Sequence, residues 1–224
     1  MSYIVRINSS SSAIFGLPAQ DILPGQSKGE QLQLTEGVQS AEEGLLKEGY
    51  RIDNWHNEQA EKNIPVLAVA VHRDKLIDIF IEFIDLLDGR LDLVLETSHE
   101  YEHDKHRNCY RENIEKYYLK DIIYEHSDLF LKDGKTGITI LNPEIPEEIQ
   151  FDEHKCLFVY SEHLERFQEV LERYGIPCEN DLLLISQTCH MHLSTYEYEE
   201  QFQRLAQEVG VSEDPGEDEE LFSN

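Results

Sequence analysis

Residues 65–97 read PVLAVAVHRDKLIDIFIEFIDLLDGRLDLVLET, and this stretch decides the fold class. The continuous apolar run at 66–71 is typical of a strand that is covered on both faces. Residues 74–88 follow as a helix and should be mostly buried, because their polar side chains form one narrow stripe. That stripe consists of Asp78, Glu82 and Asp85. Residues 91–97 then predict a second strand, so the stretch is a β-α-β unit.

A second stretch repeats this order of elements. The segments 155–160, 162–174 and 181–187 predict a strand, a helix and a strand. Residues 64–99 and 155–192 therefore resemble each other, either as a pseudo-repeat or simply because any two β-α-β units look alike.

Further elements complete the predicted fold. Residues 36–50, 110–125 and 195–209 suit helices, whereas 128–132 and 137–141 flank the sequence DGKTG and predict a hairpin. Residues 143–154 are an acidic connection. The expected fold is thus a single α/β domain with a mixed sheet, built around two β-α-β units plus a hairpin.

The ends of the chain differ in composition from this domain. We expect residues 1–35 to form an N-terminal strand and an irregular arm, and residues 36–211 to form the α/β domain. The last segment, 212–224, is rich in acidic residues and predicts a disordered tail.

The charge restricts the class of partner. The 224 residues include 46 acidic and 19 basic side chains, for a net charge of −27. Nucleic-acid binding and anionic membrane surfaces are disfavoured, because both need clustered Lys and Arg. Acidity fits solubility, cation binding or a basic protein partner. The apolar helix at 74–88 could be central to the fold or could form an oligomer contact.

Targeting signals and cysteine usage indicate the compartment. No apolar run approaches the roughly 20 residues of a membrane helix, and the N-terminus lacks the pattern of a signal peptide. The four cysteines form no CxxC pair, so we expect reduced thiols. The prediction is a cytoplasmic protein.

Five of the ten histidines lie in two short stretches, HEYEHDKH at 99–106 and CHMH at 189–192. Neutral imidazole is a common ligand of zinc and other transition metals. Each stretch follows the C-terminal end of a predicted strand, 91–98 or 181–188, where open α/β sheets usually bind ligands. The candidate metal ligands are His99, His103, His106, His190 and His192.

The first stretch contains the pattern HExxH, which resembles the zinc-binding motif of the zincin metalloproteases. The resemblance covers five residues and implies that His99 and His103 bind zinc, with Glu100 as the general base. His106 does not match the third ligand of the longer metzincin pattern.

A looser arrangement joins the two stretches. His99 or His103 could share one divalent metal with His190 and His192, and Glu96 or Cys189 could complete four ligands. Two functions therefore follow from the sequence. One is a soluble, acidic interaction or regulatory module that binds a basic protein. The other is a metal-binding protein, in particular a metal-dependent hydrolase.

Overall fold

The structure, a computed structural model, describes residues 30–41, 43–57, 62–99 and 106–213. Its helices are α1 (Leu76–Leu86), α2 (Lys116–Glu125), α3 (Ser127–Lys132), α4 (Glu165–Arg173) and α5 (Tyr196–Val209). Its strands are β1 (Val38–Ser40), β2 (Gly49–Asn57), β3 (Lys62–Ala70), β4 (Leu91–Thr97), β5 (Arg107–Ile114), β6 (Thr136–Asn142), β7 (Glu147–Phe151), β8 (Leu157–Tyr160), β9 (His190–His192) and β10 (Ser212–Glu213).

Eight strands form one sheet in the order β10-β5-β4-β6-β7-β8-β3-β2, and every neighbouring pair is antiparallel. The predicted α/β combination of helices and strands is confirmed, but the expected mixed sheet is wrong. Strands β3 and β4, which flank α1, do run in the same direction, because four antiparallel pairings separate them. The later strands β6, β7 and β8 lie between them, so these two parallel strands are not neighbours.

The first β-α-β unit has both faces of its first strand covered, as expected. In β3, Leu67 and Val69 belong to the core beneath the helices, whereas Val66 and Ala68 belong to a second core on the opposite face. Side chains alternate between the two faces of a strand, so a strand covered on both sides needs apolar residues at every position.

Helix α1 is mostly buried and packs beside α2 and α4. Its acidic stripe pairs with these neighbours: Asp85 contacts Lys120 of α2, and Glu82 contacts Arg173 of α4. The apolar residues of α1 pack inside this chain, so a second copy of the protein would contact the acidic stripe of the helix. The oligomer contact through this helix stays a prediction.

The second β-α-β unit forms only in part. Strand β8 and helix α4 lie where they were expected, but residues 181–187 are not a strand and contain a 3-10 turn, Ile185–Gln187. Leu182 and Leu184 are buried in the second core, so this apolar run marks a buried segment that lies outside the sheet. Arg51 of β2 holds the segment, because its guanidinium donates to the carbonyl of Leu182 and the side chain of Gln187.

Two predicted helices are wrong in whole or in part. Residues 36–50 contain β1, a 3-10 turn (Glu43–Leu45) and the start of β2, as the low helix propensity of their glycines allows. The segment 110–125 begins as the end of β5, and its helix starts at Lys116.

The predicted hairpin also has another partner. Residues 128–132 are part of α3, so the strand predicted at 137–141 (β6) pairs in a hairpin with β7 instead. The segment 143–154, expected as a connection, therefore contains a strand.

The chain ends are described only in part. Ser212 and Glu213, expected to begin the disordered tail, pair with β5. Residues 1–29 of the predicted N-terminal arm and 214–224 of the tail lie outside the described residues. None of the helices that the structure describes is long and apolar enough to span a membrane.

Candidate metal centre

Strand β9 carries His190 and His192. It pairs antiparallel with β1, and Val38 lies opposite His192 while Ser40 lies opposite His190. Because side chains alternate along a strand, both imidazoles lie on one face and Met191 lies on the other. The expected geometry of the HxH pair is present, but it belongs to a separate two-stranded sheet and does not follow a strand of the main sheet.

The turn between β7 and β8 brings a third histidine to this pair. The ring centroid of His154 lies 4.9 Å from that of His190 and 4.8 Å from that of His192. One ligand nitrogen from each ring lies within 4.8 Å of the other two. We call His154, His190 and His192 the three-histidine centre.

Asp152 fixes the ring of His154. One carboxylate oxygen accepts the backbone N–H of Cys156 at 2.8 Å, which closes the turn. The other oxygen lies 2.9 Å from Nδ1 of His154. An imidazole that donates from Nδ1 to a carboxylate presents Nε2 to a ligand, which is the usual outer-shell arrangement of metal-bound histidine.

Backbone carbonyls orient the other two rings. Nδ1 of His190 donates to the carbonyl of Thr188 at 2.8 Å, and Nδ1 of His192 donates to the carbonyl of Gly134. Because a carbonyl can only accept, each Nδ1 carries a proton, and Nε2 of the neutral ring carries a lone pair. The two Nε2 atoms lie 3.2 Å apart. Two lone pairs at this distance repel each other unless a cation or a proton lies between them.

The surroundings shift the pKa values of His192 and His154 in opposite directions. Burial is the main influence on His192 and lowers its pKa, which favours the neutral, metal-binding form. Burial acts in the same direction on His154, but the charge of Asp152 and the hydrogen bond to it outweigh burial and raise the pKa of His154. Protons therefore compete with a metal more strongly at His154 than at His192.

Two glycines hold β9 in place. The N–H of Gly134 donates to the carbonyl of Leu193 at 2.8 Å, and the N–H of Leu193 donates to the carbonyl of Gly37 at 2.8 Å. A Cβ atom on Gly134 would lie 2.1 Å from the carbonyl oxygen of Gly37. This close approach explains why glycine occupies position 134.

The first histidine stretch lies around the centre and contributes no ring to it among the described residues. His99 is buried, and its Nε2 lies 3.0 Å from Asp133, the residue before Gly134. His106 lies with Nε2 3.8 Å from Glu153, the residue before His154. His103 and Glu100 of the HExxH pattern lie outside the described residues.

The two weaker candidates are not in the three-histidine centre. Glu96 accepts a hydrogen bond from the hydroxyl of Thr139 at 2.9 Å, and burial raises the pKa of Glu96 to about 7. Cys189 is an exposed free cysteine next to His190. Cys189 lies outside β9 and is not in the ligand group of the three histidines.

Sequence reasoning missed His154, because it lies in the segment interpreted as an acidic connection. The available signal was an Asp two residues before a His at the start of a predicted strand. Such a pair is common, and only the folded chain brings residue 154 to β9.

A second group of metal-ligating side chains lies on the helices. Glu125, His126 and Glu208 also bring ligand atoms within 4.8 Å of one another. His126 already forms an ion pair with Glu208 at 2.9 Å, and both glutamates are exposed. This ion pair accounts for the arrangement without a metal.

The three-histidine centre thus has three converging imidazoles, each with its Nδ1 oriented by an oxygen acceptor. Comparison of the chain with protein-family models, curated proteins and solved structures finds no match.

Proposed function

We propose that this protein binds one divalent transition metal ion, zinc being the best fit, at His154, His190 and His192. The distance of 3.2 Å between Nε2 of His190 and Nε2 of His192 carries the proposal. A tetrahedral zinc ion with Zn–N distances of about 2.0–2.1 Å holds two ligand nitrogens about 3.3 Å apart. The pair therefore has the spacing of two ligands of one ion, and a cation between them removes the repulsion of the lone pairs.

The ligand type supports a transition metal over a hard cation. Imidazole suits zinc, copper, iron and nickel, whereas magnesium and calcium select oxygen ligands. The centre offers three nitrogens, and among the described residues no carboxylate belongs to the same ligand group.

A set of three protein ligands, counted among the described residues, favours a catalytic zinc over a structural one. Structural zinc is usually held by four protein ligands, whereas catalytic zinc keeps a position for water or substrate. A zinc ion lowers the pKa of its bound water to about 7 and so supplies hydroxide at neutral pH. The function that follows is metal-dependent hydrolysis.

The first test is the metal content of untagged protein purified without chelator. We expect about one equivalent of zinc in the wild type and none in the His190→Ala/His192→Ala double variant. Zinc affinity is then measured by competition with a chromophoric chelator, and hydrolysis of an activated ester is compared between zinc-loaded and metal-free protein.

The exposed His163, two residues before α4, offers a matched control. His163→Ala should keep the metal content of the wild type. Wild-type protein that contains no metal and takes up none on addition would refute the metal site. Protein that binds zinc without any gain in ester hydrolysis would refute the hydrolase and leave the metal site standing.

We also propose a second candidate function, an acidic module that binds a basic protein. The net charge of −27 supports it, because so strong a field attracts a basic partner over long range. Binding should weaken steeply with salt. Titration with a basic protein such as histone, at about 50 and 300 mM salt, tests this candidate. Affinity that is absent at low salt, or equal at both, would contradict it.

A further inference from the structure

A short segment, the turn 133–135 between α3 and β6 together with Thr136 at the start of β6, touches both segments that carry the proposed ligands. The carbonyl of Gly134 accepts the hydrogen bond from Nδ1 of His192. The carbonyl of Thr136 accepts a hydrogen bond from Nζ of Lys155 at 2.9 Å, and Lys155 follows His154 directly. The position of this turn therefore affects where the rings of the centre lie.

Asp133 anchors the turn. Its side chain is fully buried, and the hydroxyl of Thr136 donates to Oδ2. Nε2 of His99 lies 3.0 Å from the same oxygen. Burial alone would raise the pKa of Asp133, but its interactions with His99, Ser194 and Thr136 outweigh burial and lower the pKa. A buried carboxylate therefore stays ionised at the first residue of the turn.

His99 in turn is held firmly. Its Nδ1 lies 2.5 Å from the hydroxyl of Thr97, at the end of β4, and its ring packs 5.9 Å from the ring of Phe202. A rigid strand of the main sheet thus fixes the imidazole that contacts Asp133.

The turn packs tightly against Gly37, which directly precedes β1. Gly134 and Gly37 approach so closely that an added Cβ on either would lie within about 3.0 Å of the other segment's backbone. A shift of Asp133 would consequently move the Gly134 carbonyl, and with it the ring of His192.

We propose that Asp133, held by His99, is a positioning residue of the metal centre. It fixes the Gly134 carbonyl that orients His192, and so sets metal affinity without contacting the metal. This inference rests on the proposed metal site. It gives the first histidine stretch an indirect role at that site.

The test measures zinc affinity by chelator competition in Asp133→Asn, which keeps the shape of the side chain and removes its charge. We expect affinity to fall about 10–100-fold, the usual effect of removing an outer-shell partner. The visible absorption of the cobalt-loaded protein should also change, because its band positions report ligand geometry. Loss of stability alone would not change this spectrum.

A second pair of variants separates positioning from folding. His99→Ala should weaken zinc binding about as much as Asp133→Asn, whereas His99→Gln, which keeps a donor for Asp133, should restore most of the affinity. Glu147→Gln is the matched control, because Glu147 is an equally buried carboxylate that pairs with Arg166 at the opposite end of β7. It should lower stability without changing zinc affinity or the cobalt spectrum.

The outcomes distinguish this inference from the proposed function. If the wild type binds neither zinc nor cobalt, both are overturned. If the wild type binds zinc and Asp133→Asn binds it equally well with the same cobalt spectrum, only the positioning role is overturned. Equal affinity losses in Asp133→Asn and Glu147→Gln would also overturn it.

Discussion

The two histidine stretches have similar composition but different places in the fold. The first follows β4, a strand inside the main sheet, and its His99 is buried against the carboxylate of Asp133. The second lies in β9, which pairs only with the three-residue strand β1 among the described strands. There, backbone carbonyls accept hydrogen bonds from the Nδ1 atoms of His190 and His192, and the two Nε2 atoms face each other.

The difference shows what makes a histidine available as a ligand. His99 follows a strand of the main sheet, so its ring is buried, and its Nε2 contacts the charged side chain of Asp133. His190 and His192 lie on a short strand outside the main sheet. Each ring is oriented through its Nδ1, so its Nε2 can face a position that both rings share. The following predictions test this contrast, beginning with the largest expected effect.

Removing His154 should distinguish the three-histidine centre from the first stretch most clearly. His154→Ala should weaken zinc binding by more than about 1,000-fold, since even outer-shell partners contribute about 10–100-fold. His106→Ala, from the first stretch, should change it less than about threefold. Chelator competition measures both affinities. Comparable losses in the two variants would mean that the first stretch also supplies a ligand.

Buried carboxylates sharpen the contrast, because Asp133 contacts the imidazole of His99, whereas Glu148 on β7 contacts the amide of Gln150. Gln150 donates a hydrogen bond to Glu148, but burial dominates and raises the pKa of Glu148 from 4.5 to about 8. Glu148 is therefore protonated in the folded protein and ionised in the unfolded chain between these pH values. The free energy of unfolding should fall as the pH rises through this range.

Glu148→Gln cannot ionise and should lose this pH dependence. Relative to the wild type, its free energy of unfolding should increase by roughly 3–4 kcal/mol from pH 5 to pH 8. Urea denaturation at both pH values measures this gain. The exposed Glu169 provides the control, and Glu169→Gln should show no such gain. A pH-independent difference for Glu148→Gln would contradict a buried neutral carboxyl.

The attachment of β9 should be sensitive to a single methyl group. Gly134→Ala places a Cβ against Gly37 and should lower the free energy of unfolding by about 2 kcal/mol, as overpacking does. Gly44→Ala is the control, because a Cβ there contacts nothing within 4 Å. Thermal denaturation compares the two variants. Equal stability would show that β9 is not held by this contact.

The smallest effect should come from the surface of the first β-α-β unit. Lys120→Ala removes the partner of Asp85 on α1 and should cost less than about 1 kcal/mol, because exposed ion pairs contribute little. Urea denaturation measures this loss of stability and compares it with that of Lys132→Ala, which removes the surface ion pair between Lys132 and Asp128. A loss above about 2 kcal/mol would mean that ion pairs, as well as the core, hold α1 in place.

The sequence predicted local elements well where one pattern dominated. Strand β4 was predicted at its exact bounds, and α1, α4 and α5 were predicted within a few residues, because their apolar periodicity and end signals agree. The strand predicted at 181–187 is wrong, because a buried apolar run outside a sheet has the same sequence pattern as a strand. Its path depends on Arg51, which is 131 positions away from Leu182 in the chain.

For the candidate site, the sequence identified His190 and His192 and the alternation that places both rings on one face. It did not identify His154 or the roles of Asp133 and Gly134. These residues carry no specific local signal, because their places around the centre depend on contacts with segments far along the chain.

The sequence by itself determined the combination of helices and strands, the burial of α1 and the acidic surface, because composition and local periodicity set these properties. Only the tertiary structure decided the order of the strands and the membership of the three-histidine centre. The physical reason is that pairing between distant segments depends on how the whole sheet closes, and on which backbone carbonyls then face each ring.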